Sequence, residues 1–512
     1  MIEPMVTLDE GIRAGADRGR CLLAGAERLF ASSQTAILGL LLAGGALEWG
    51  LVSGWLSRFS LFTHPGFFAS SGDLLIRSLG DGKTGVDRFV GIVLSVAIPY
   101  AAALWLSART RGRAGLVLAF AGSLLFGVTM LAIYPAGAVD VFHNIMDGRL
   151  VWVYHLNAML TAPSAVSTDP LYPYLHYWQN VPSAYGPLWF LLTAPAVLLG
   201  GAGRESSLIA FKALPFVFEL IALGLIARIV QRLRPQRVAA AVVLFGWNPL
   251  VLWEIAGNGH NDIVMMSFVL IALLVLISRR WPLAFPLLAC SILVKYVSLI
   301  LVPVFVIWIL RRDGKSALVP LSRGLVAALF VAVILLAPFW SGAGTFASLH
   351  DQQNYFIFSP ASAVLGTWGE RLANTASVLR VKSEFTLAFV LLYAFTLLRI
   401  KPTYAGLVRA SVETIFLLLV LMTWWFWPWY VIWMLALAAL LPGSAHARLA
   451  VLFSCTVLLI YVASSWRLSI WNFSSTFAMA FGTALLVFLA PVLYAVMHLW
   501  RPANADGEAI EV

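Results

Sequence analysis

The residues able to do chemistry fall in four groups set between long apolar runs. The first reads Asp140-Val141-Phe142-His143-Asn144-Ile145-Met146-Asp147-Gly148-Arg149. Asp140 and Asp147 are seven residues apart, so a helix would carry both on one face. A carboxylate where an apolar run meets a loop is costly unless it is paired or used. The chemical reading is a general base or a ligand anchor, with His143 between the two acids. The plain reading is a helix cap, or an Asp147–Arg149 surface pair.

The second group, Pro182-Ser183-Ala184-Tyr185-Gly186-Pro187-Leu188-Trp189, fixes its backbone with Pro and Gly. It presents Tyr185 and Trp189, types that also suit a lipid–water boundary. The third runs Trp247-Asn248-Pro249-Leu250-Val251-Leu252-Trp253-Glu254-Ile255-Ala256-Gly257-Asn258-Gly259-His260-Asn261-Asp262. Its glycines allow close backbone approach. Asn258, His260, Asn261 and Asp262 supply donors, acceptors and a charge suited to a hydroxyl-rich ligand; the alternative is a polar turn. His260 and Asp262 alone form no recognisable metal site, so no metal is expected. The fourth is Lys295, a lone lysine in an apolar run, with an anionic phosphate as its natural partner or a snorkelling role as the alternative.

Two weaker signals accompany these. The run Trp424-Trp425-Phe426-Trp427-Pro428-Trp429-Tyr430-Val431-Ile432-Trp433 reads either as a groove for a lipid tail or as an interfacial belt. His350-Asp351-Gln352-Gln353-Asn354-Tyr355 and Arg467 lie in loops that could reach the same place.

The elements that must position these groups are membrane helices. Of 512 residues, 61% are hydrophobic and 11% charged, against about 45–50% and about 25% in soluble domains. The net charge of +10 sits mostly between apolar runs, as loop anchors do, and nucleic acid is not an expected partner. Cys21, Cys290 and Cys455 are scattered and suggest neither disulfides nor a metal.

Runs at 35–55, 89–107, 114–134, 208–230, 238–255, 262–278, 317–339, 449–464 and 474–497 are apolar enough to span, with weaker ones at 384–399, 410–425 and 428–442. The run 282–310 lies between two basic pairs and reads as two short helices with Lys295-Tyr296 at the outer apex. Treating 187–202 as a juxtamembrane helix keeps Arg228, Arg232, Arg234 and Arg237 inside. The expectation is an all-α polytopic protein of about 14 spans (12–14), with both termini cytoplasmic. Its segments are a lead-in at 1–34, N-terminal spans over 35–134, a long outer loop at 135–207 and a core over 208–339. A second outer loop at 340–383, C-terminal spans over 384–497 and a tail at 498–512 complete it. All four groups then face one side. A transporter or flippase would also carry polar residues in mid-chain, but it needs them near the midplane with access from both sides.

The combination of Asp140…Asp147-Gly148-Arg149, Ser183-Ala184-Tyr185-Gly186-Pro187-Leu188, Trp247-Asn248-Pro249-Leu250…Gly257-Asn258-Gly259-His260-Asn261-Asp262 and Val294-Lys295-Tyr296 resembles the GT-C glycosyltransferases. Within them it is most similar to bacterial polyprenyl-phosphate-mannose-dependent α-mannosyltransferases, over roughly 135–305. The resemblance implies a hexosyltransferase of the cell membrane with its site outside the cytoplasm. Its partners would be a polyprenyl-phosphate sugar, a glycan or glycolipid acceptor and membrane lipid, with no separate cofactor. It also implies juxtamembrane helices in the long outer loop. Asp140 would be the catalytic base, Lys295 and Arg149 would hold the donor phosphate, and Asp147, His143, Tyr185, Asn258, His260, Asn261 and Asp262 would bind substrate. One inverting displacement would then suffice. Where the family often carries Asn-Pro-Tyr after the aspartate helix, this chain reads Asn157-Ala158-Met159.

Overall fold

The computed structural model describes residues 32–69, 73–466 and 475–499. Most of the expected lead-in and tail, and Arg467, lie outside the described residues. Within them the protein is helical apart from an antiparallel pair of two-residue strands, Tyr355–Phe356 and Glu370–Arg371.

Every apolar run expected to span is largely helical among the described residues, the run 238–255 as a bent pair. Among the described residues, nine helices are long and apolar enough to cross a membrane, or ten if a bent pair is one span. The shortfall against fourteen has a plain cause. Asp262–Ile277, Trp281–Val294 and Pro428–Ala438 are shorter than the roughly 20 residues a crossing needs. Tyr296–Phe339 is one helical stretch of 44 residues, interrupted at Gly314, whose φ is +58°. Leu198, Leu199 and Leu398 are 83%, 76% and 72% exposed, an apolar surface that suits lipid and not water.

Two local features set up the site. The first is the bend of 46° between Pro235–Gly246 and Pro249–Gly257. Pro249 cannot continue the earlier hydrogen-bond ladder. Asn248 caps the new helix by accepting from the Leu250 N–H at 2.9 Å, and donates to the Tyr100 hydroxyl at 3.0 Å and Ser454 Oγ at 2.9 Å. The helix then widens to π geometry over Leu252–Gly257 and unwinds at Asn258-Gly259. Gly259 has φ +81°, and a Cβ there would meet Val141 and Lys212.

The second is Lys212, fully buried in the helix Arg204–Leu233. Its ammonium donates to the carbonyls of Met130 and Leu131 at 3.0 Å each, and to that of Ile133. These carbonyls lie at the end of Arg113–Leu131 and just beyond it, where a helix leaves acceptors with spare capacity. The chain leaving that end leads directly to Asp140.

Candidate functional site

A cavity of about 700 Å³ takes lining residues from inter-helix segments and from the helices Tyr404–Leu421 and Ala445–Ser465, distant parts of the chain. Asp140, His143, Tyr185 and Lys295 all line it.

Asp140 is the first residue of the helix Asp140–Trp152, which is not among the membrane-crossing helices. The preceding loop is fixed by Gly137, whose N–H donates to Asn258 Oδ1 at 3.3 Å. A Cβ at Gly137 would come within 2.7 Å of Trp253 Nε1, so the approach requires glycine. Burial pushes the Asp140 carboxyl above its ordinary value, an effect opposed by the nearby charges of His143 and Lys295 and reinforced by Asp262.

One turn on, His143 Nε2 lies 3.2 Å from the Val181 carbonyl, and Nδ1 lies 3.2 Å from Asp147 Oδ2. Burial disfavours a charged ring, but Asp147 and the Val181 carbonyl outweigh it and hold the imidazole above its ordinary value. Two acceptors on two ring nitrogens favour the imidazolium, which has a proton for each. The expected shared face of Asp140 and Asp147 is present. Asp147 is fully buried beneath His143, however, and does not line the cavity. The Asp147–Arg149 surface pair does not form.

Arg149 differs from the expectation as well. Its Nε donates to Asp169 at 2.7 Å and its Nη1 to the Gly201 carbonyl at 2.6 Å. Asp169 also accepts from the Tyr154 hydroxyl at 2.8 Å. The guanidinium therefore clasps the long loop together and lies away from the cavity. A planar fork suits two such acceptors at once.

The segment at 187–202 folds as two short helices, Pro187–Leu192 and Ala194–Gly200. Trp189 is buried, donating to Asn144 Oδ1 at 3.1 Å, and is not a belt residue. The Gly186 N–H donates to the Val294 carbonyl at 3.0 Å, and a Cβ there would fall 2.1 Å from the Leu293 oxygen. That contact sets Tyr185 beside Lys295.

Lys295 sits where the helix Ala284–Val294 ends. Its Nζ donates to Asp262 Oδ1 at 2.8 Å and lies 5.2, 5.3 and 5.8 Å from the ring centres of Tyr185, Tyr430 and Trp433. Rings attract an ammonium from their faces. An ammonium has three donors, so Lys295 keeps capacity for an anion in the cavity.

The third group forms a layer behind the wall, where direct ligand contact was expected. Asn258 Nδ2 donates to Glu254 Oε2 at 2.9 Å, and His260 Nε2 lies 3.4 Å from the same oxygen. Trp429 covers His260, stacked at 3.8 Å. Asp262 also accepts from Trp433 Nε1 at 2.5 Å. Asn261 is buried and, among the described residues, its side-chain amide has no hydrogen-bond partner. None of Asn258, His260, Asn261 and Asp262 lines the cavity. The group with the strongest sequence signal thus holds Asp140 and Lys295 in place through Asn258 and Asp262.

Other lining residues had weaker signals or none. Tyr461 donates to Glu254 Oε1 at 2.7 Å and faces the cavity from a late helix. Gln352, Gln353, Tyr355 and most of the Trp424–Trp433 run line it too, whereas His350 does not. Trp178 lines it from a loop where nothing in the local sequence marks it out. Among the described residues no three His, Cys, Asp or Glu side chains gather as metal ligands would.

A family model described as Alpha-(1->6)-mannopyranosyltransferase, N-terminal domain, matches residues 69–312. The match includes all four groups and stops short of the loop at 340–383 and the tryptophan run. Alpha-(1->6)-mannopyranosyltransferase A of Corynebacterium glutamicum is 26% identical over 190 residues, which is 36% of this chain and 36% of that protein. The chain thus matches about a third of the length of this curated relative. Both findings support the mannosyltransferase resemblance read from the sequence.

Proposed function

We propose that the protein is a polytopic membrane glycosyltransferase that moves mannose from a polyprenyl-phosphate carrier to a glycan or glycolipid acceptor on the non-cytoplasmic face. The observation that carries this is one cavity holding a base candidate, Asp140, and an available cation, Lys295, both within the stretch matched by the family model.

The donor's anomeric carbon already carries a good leaving group, the lipid phosphate. The acceptor hydroxyl attacks that carbon. The new C–O bond forms as the bond to the phosphate oxygen breaks, with inversion. The hydroxyl proton passes to Asp140, and Lys295 stabilises the charge left on the lipid phosphate. His143, held by Asp147 and the Val181 carbonyl, favours the ionised form of Asp140. Arg149 is left out of the donor role because its Nε and Nη1 donate to Asp169 and Gly201 and it does not line the cavity. The chemistry asks for no metal.

The fold reading that accompanies this has fourteen spans. They are the nine long helices, the bent pair as a tenth, the three shorter ones and one more from dividing Tyr296–Phe339 at Gly314. Both termini are cytoplasmic, and Pro187–Gly200 lies along the outer surface.

Two measurements test the reading. Membranes containing the protein are incubated with radiolabelled polyprenyl-phosphate mannose and the products separated by chromatography. Label should move into a larger, alkali-stable glycan. Movement of intact lipid across vesicles without any transfer would replace the enzyme with a transporter. Sidedness is read by thiol labelling in a background lacking Cys21, Cys290 and Cys455. Cysteines at the exposed positions Tyr177 and Gln353 should react with an impermeant reagent on intact cells, and one at exposed Arg280 only after permeabilisation. The reverse pattern would put the site in the cytoplasm.

A further inference from the structure

Part of the cavity wall is a row of aromatic rings in continuous contact. Behind the wall His260 stacks on Trp429. Trp429 stacks on Trp427 at 5.1 Å and 9°, and Trp427 meets Trp425 at 5.8 Å. Trp425, Tyr355 and Trp178 then meet one another edge to face, at 5.3, 6.0 and 6.2 Å. All of these rings except His260 line the cavity that holds Asp140.

The row is rigidly mounted. The Ile357 N–H donates to the Trp424 carbonyl at 3.0 Å and the Phe426 N–H to the Ile357 carbonyl at 3.1 Å, joining two segments distant in sequence. Ser348 Oγ donates to the Pro182 carbonyl at 2.6 Å, tying a third. Trp178 holds φ at +65°, a left-handed conformation that is unfavourable for a bulky residue and that persists where the surroundings impose it.

The surroundings decide between a lipid tail and a carbohydrate. Trp178, Tyr355, Trp425 and Trp427 all come from segments between the membrane-crossing helices. A polyprenyl tail is apolar throughout and has no use for polar side chains beside such rings. Gln352 and Gln353 add amide donors and acceptors beside the rings. A pyranose needs both kinds of surface. Its C–H face carries slight positive charge and sits on the negative face of a ring, while its hydroxyls bond amides.

We infer that Trp178, Tyr355, Trp425 and Trp427 form a track holding an acceptor oligosaccharide over several sugar units, with its reacting hydroxyl at Asp140. This rests on the glycosyltransferase reading and assigns named residues to its acceptor.

The test titrates the purified full chain with α-(1→6)-linked mannose oligomers of increasing length, following intrinsic tryptophan fluorescence. Affinity should rise over the first several units and then level. Trp178→Ala and Trp425→Ala should each weaken the longest oligomer roughly two- to tenfold and flatten the length dependence. Trp340→Ala, at a 57% exposed tryptophan outside the cavity, should match the unmutated protein. Length-independent binding by the unmutated protein would overturn the track, and that series needs no variant to fold. So would variants that weaken binding of polyprenyl phosphate while leaving oligomer binding intact, because the row would then be a tail groove. Label transfer with length-independent binding sinks the track alone. Length-dependent binding without any transfer sinks the transferase reading alone.

Discussion

Asp140→Asn should lower sugar transfer by about 10²- to 10⁴-fold, the range a positioned general base contributes, while expression and donor binding persist. Asparagine keeps the size and one acceptor oxygen but cannot take a proton. The unmutated protein should lose activity as pH falls, and the loss should begin above the ordinary carboxylate range, because burial raises the Asp140 carboxyl and the protonated acid is no base. His143→Gln removes a positive neighbour, so Asp140 should protonate more readily and the acid limb should move to higher pH. Asp147→Asn acts one step back. It removes the main group that keeps His143 charged, so it should shift the same limb in the same direction with a smaller fall in turnover. Normal transfer by Asp140→Asn would reject the mechanism. A dead Asp147→Asn beside an active Asp140→Asn would move the base seven residues along the helix.

Lys295→Met should have the second largest effect, and in two separable parts. Asp262 is fully buried and takes a hydrogen bond from Lys295. Removing the lysine leaves a buried carboxylate without its cation, a loss of about 3–5 kcal/mol in comparable pairs. The single variant should therefore unfold at lower temperature. Adding Asp262→Asn removes the stranded charge and keeps an oxygen for Trp433, so the double variant should recover much of the stability. It should not recover donor binding. A charge-assisted bond is worth about 1.5–3 kcal/mol, which corresponds to roughly ten- to a hundredfold in affinity for polyprenyl phosphate. Normal donor affinity in the double variant would leave Lys295 with a structural role only.

The sequence made the helices legible because lipid imposes long apolar runs, and such runs are largely helical among the described residues. It also made Asp140, Tyr185 and Lys295 legible, since a polar residue at the edge of an apolar run has few plain explanations. It could not show which partner each polar group takes. Arg149 looked available beside Asp147, but its acceptors are Asp169 and Gly201, brought in by a loop with no periodic pattern to fold by eye. The His260-Asn261-Asp262 stretch looked like a ligand surface because its residue types suit one. Trp429 and Trp433, from a helix near the other end of the chain, cover it instead. Trp178 was invisible because its role depends on Tyr355 and Trp425 meeting it in space.

Lys212 bears on how the chain is made. A lysine within a helix entering the bilayer alone costs free energy at the insertion machinery, less toward the helix end than the roughly 2.5–3.5 kcal/mol at its centre. In the finished protein its ammonium is satisfied by carbonyls at the end of Arg113–Leu131, a helix synthesised earlier. The helix Arg204–Leu233 therefore has its receptor waiting when it leaves the ribosome, and entering beside that neighbour is cheaper than entering alone. The same bond that anchors the approach to Asp140 thus favours an order of assembly in which the loop carrying Asp140 is closed at both ends before the second half of the chain has been translated.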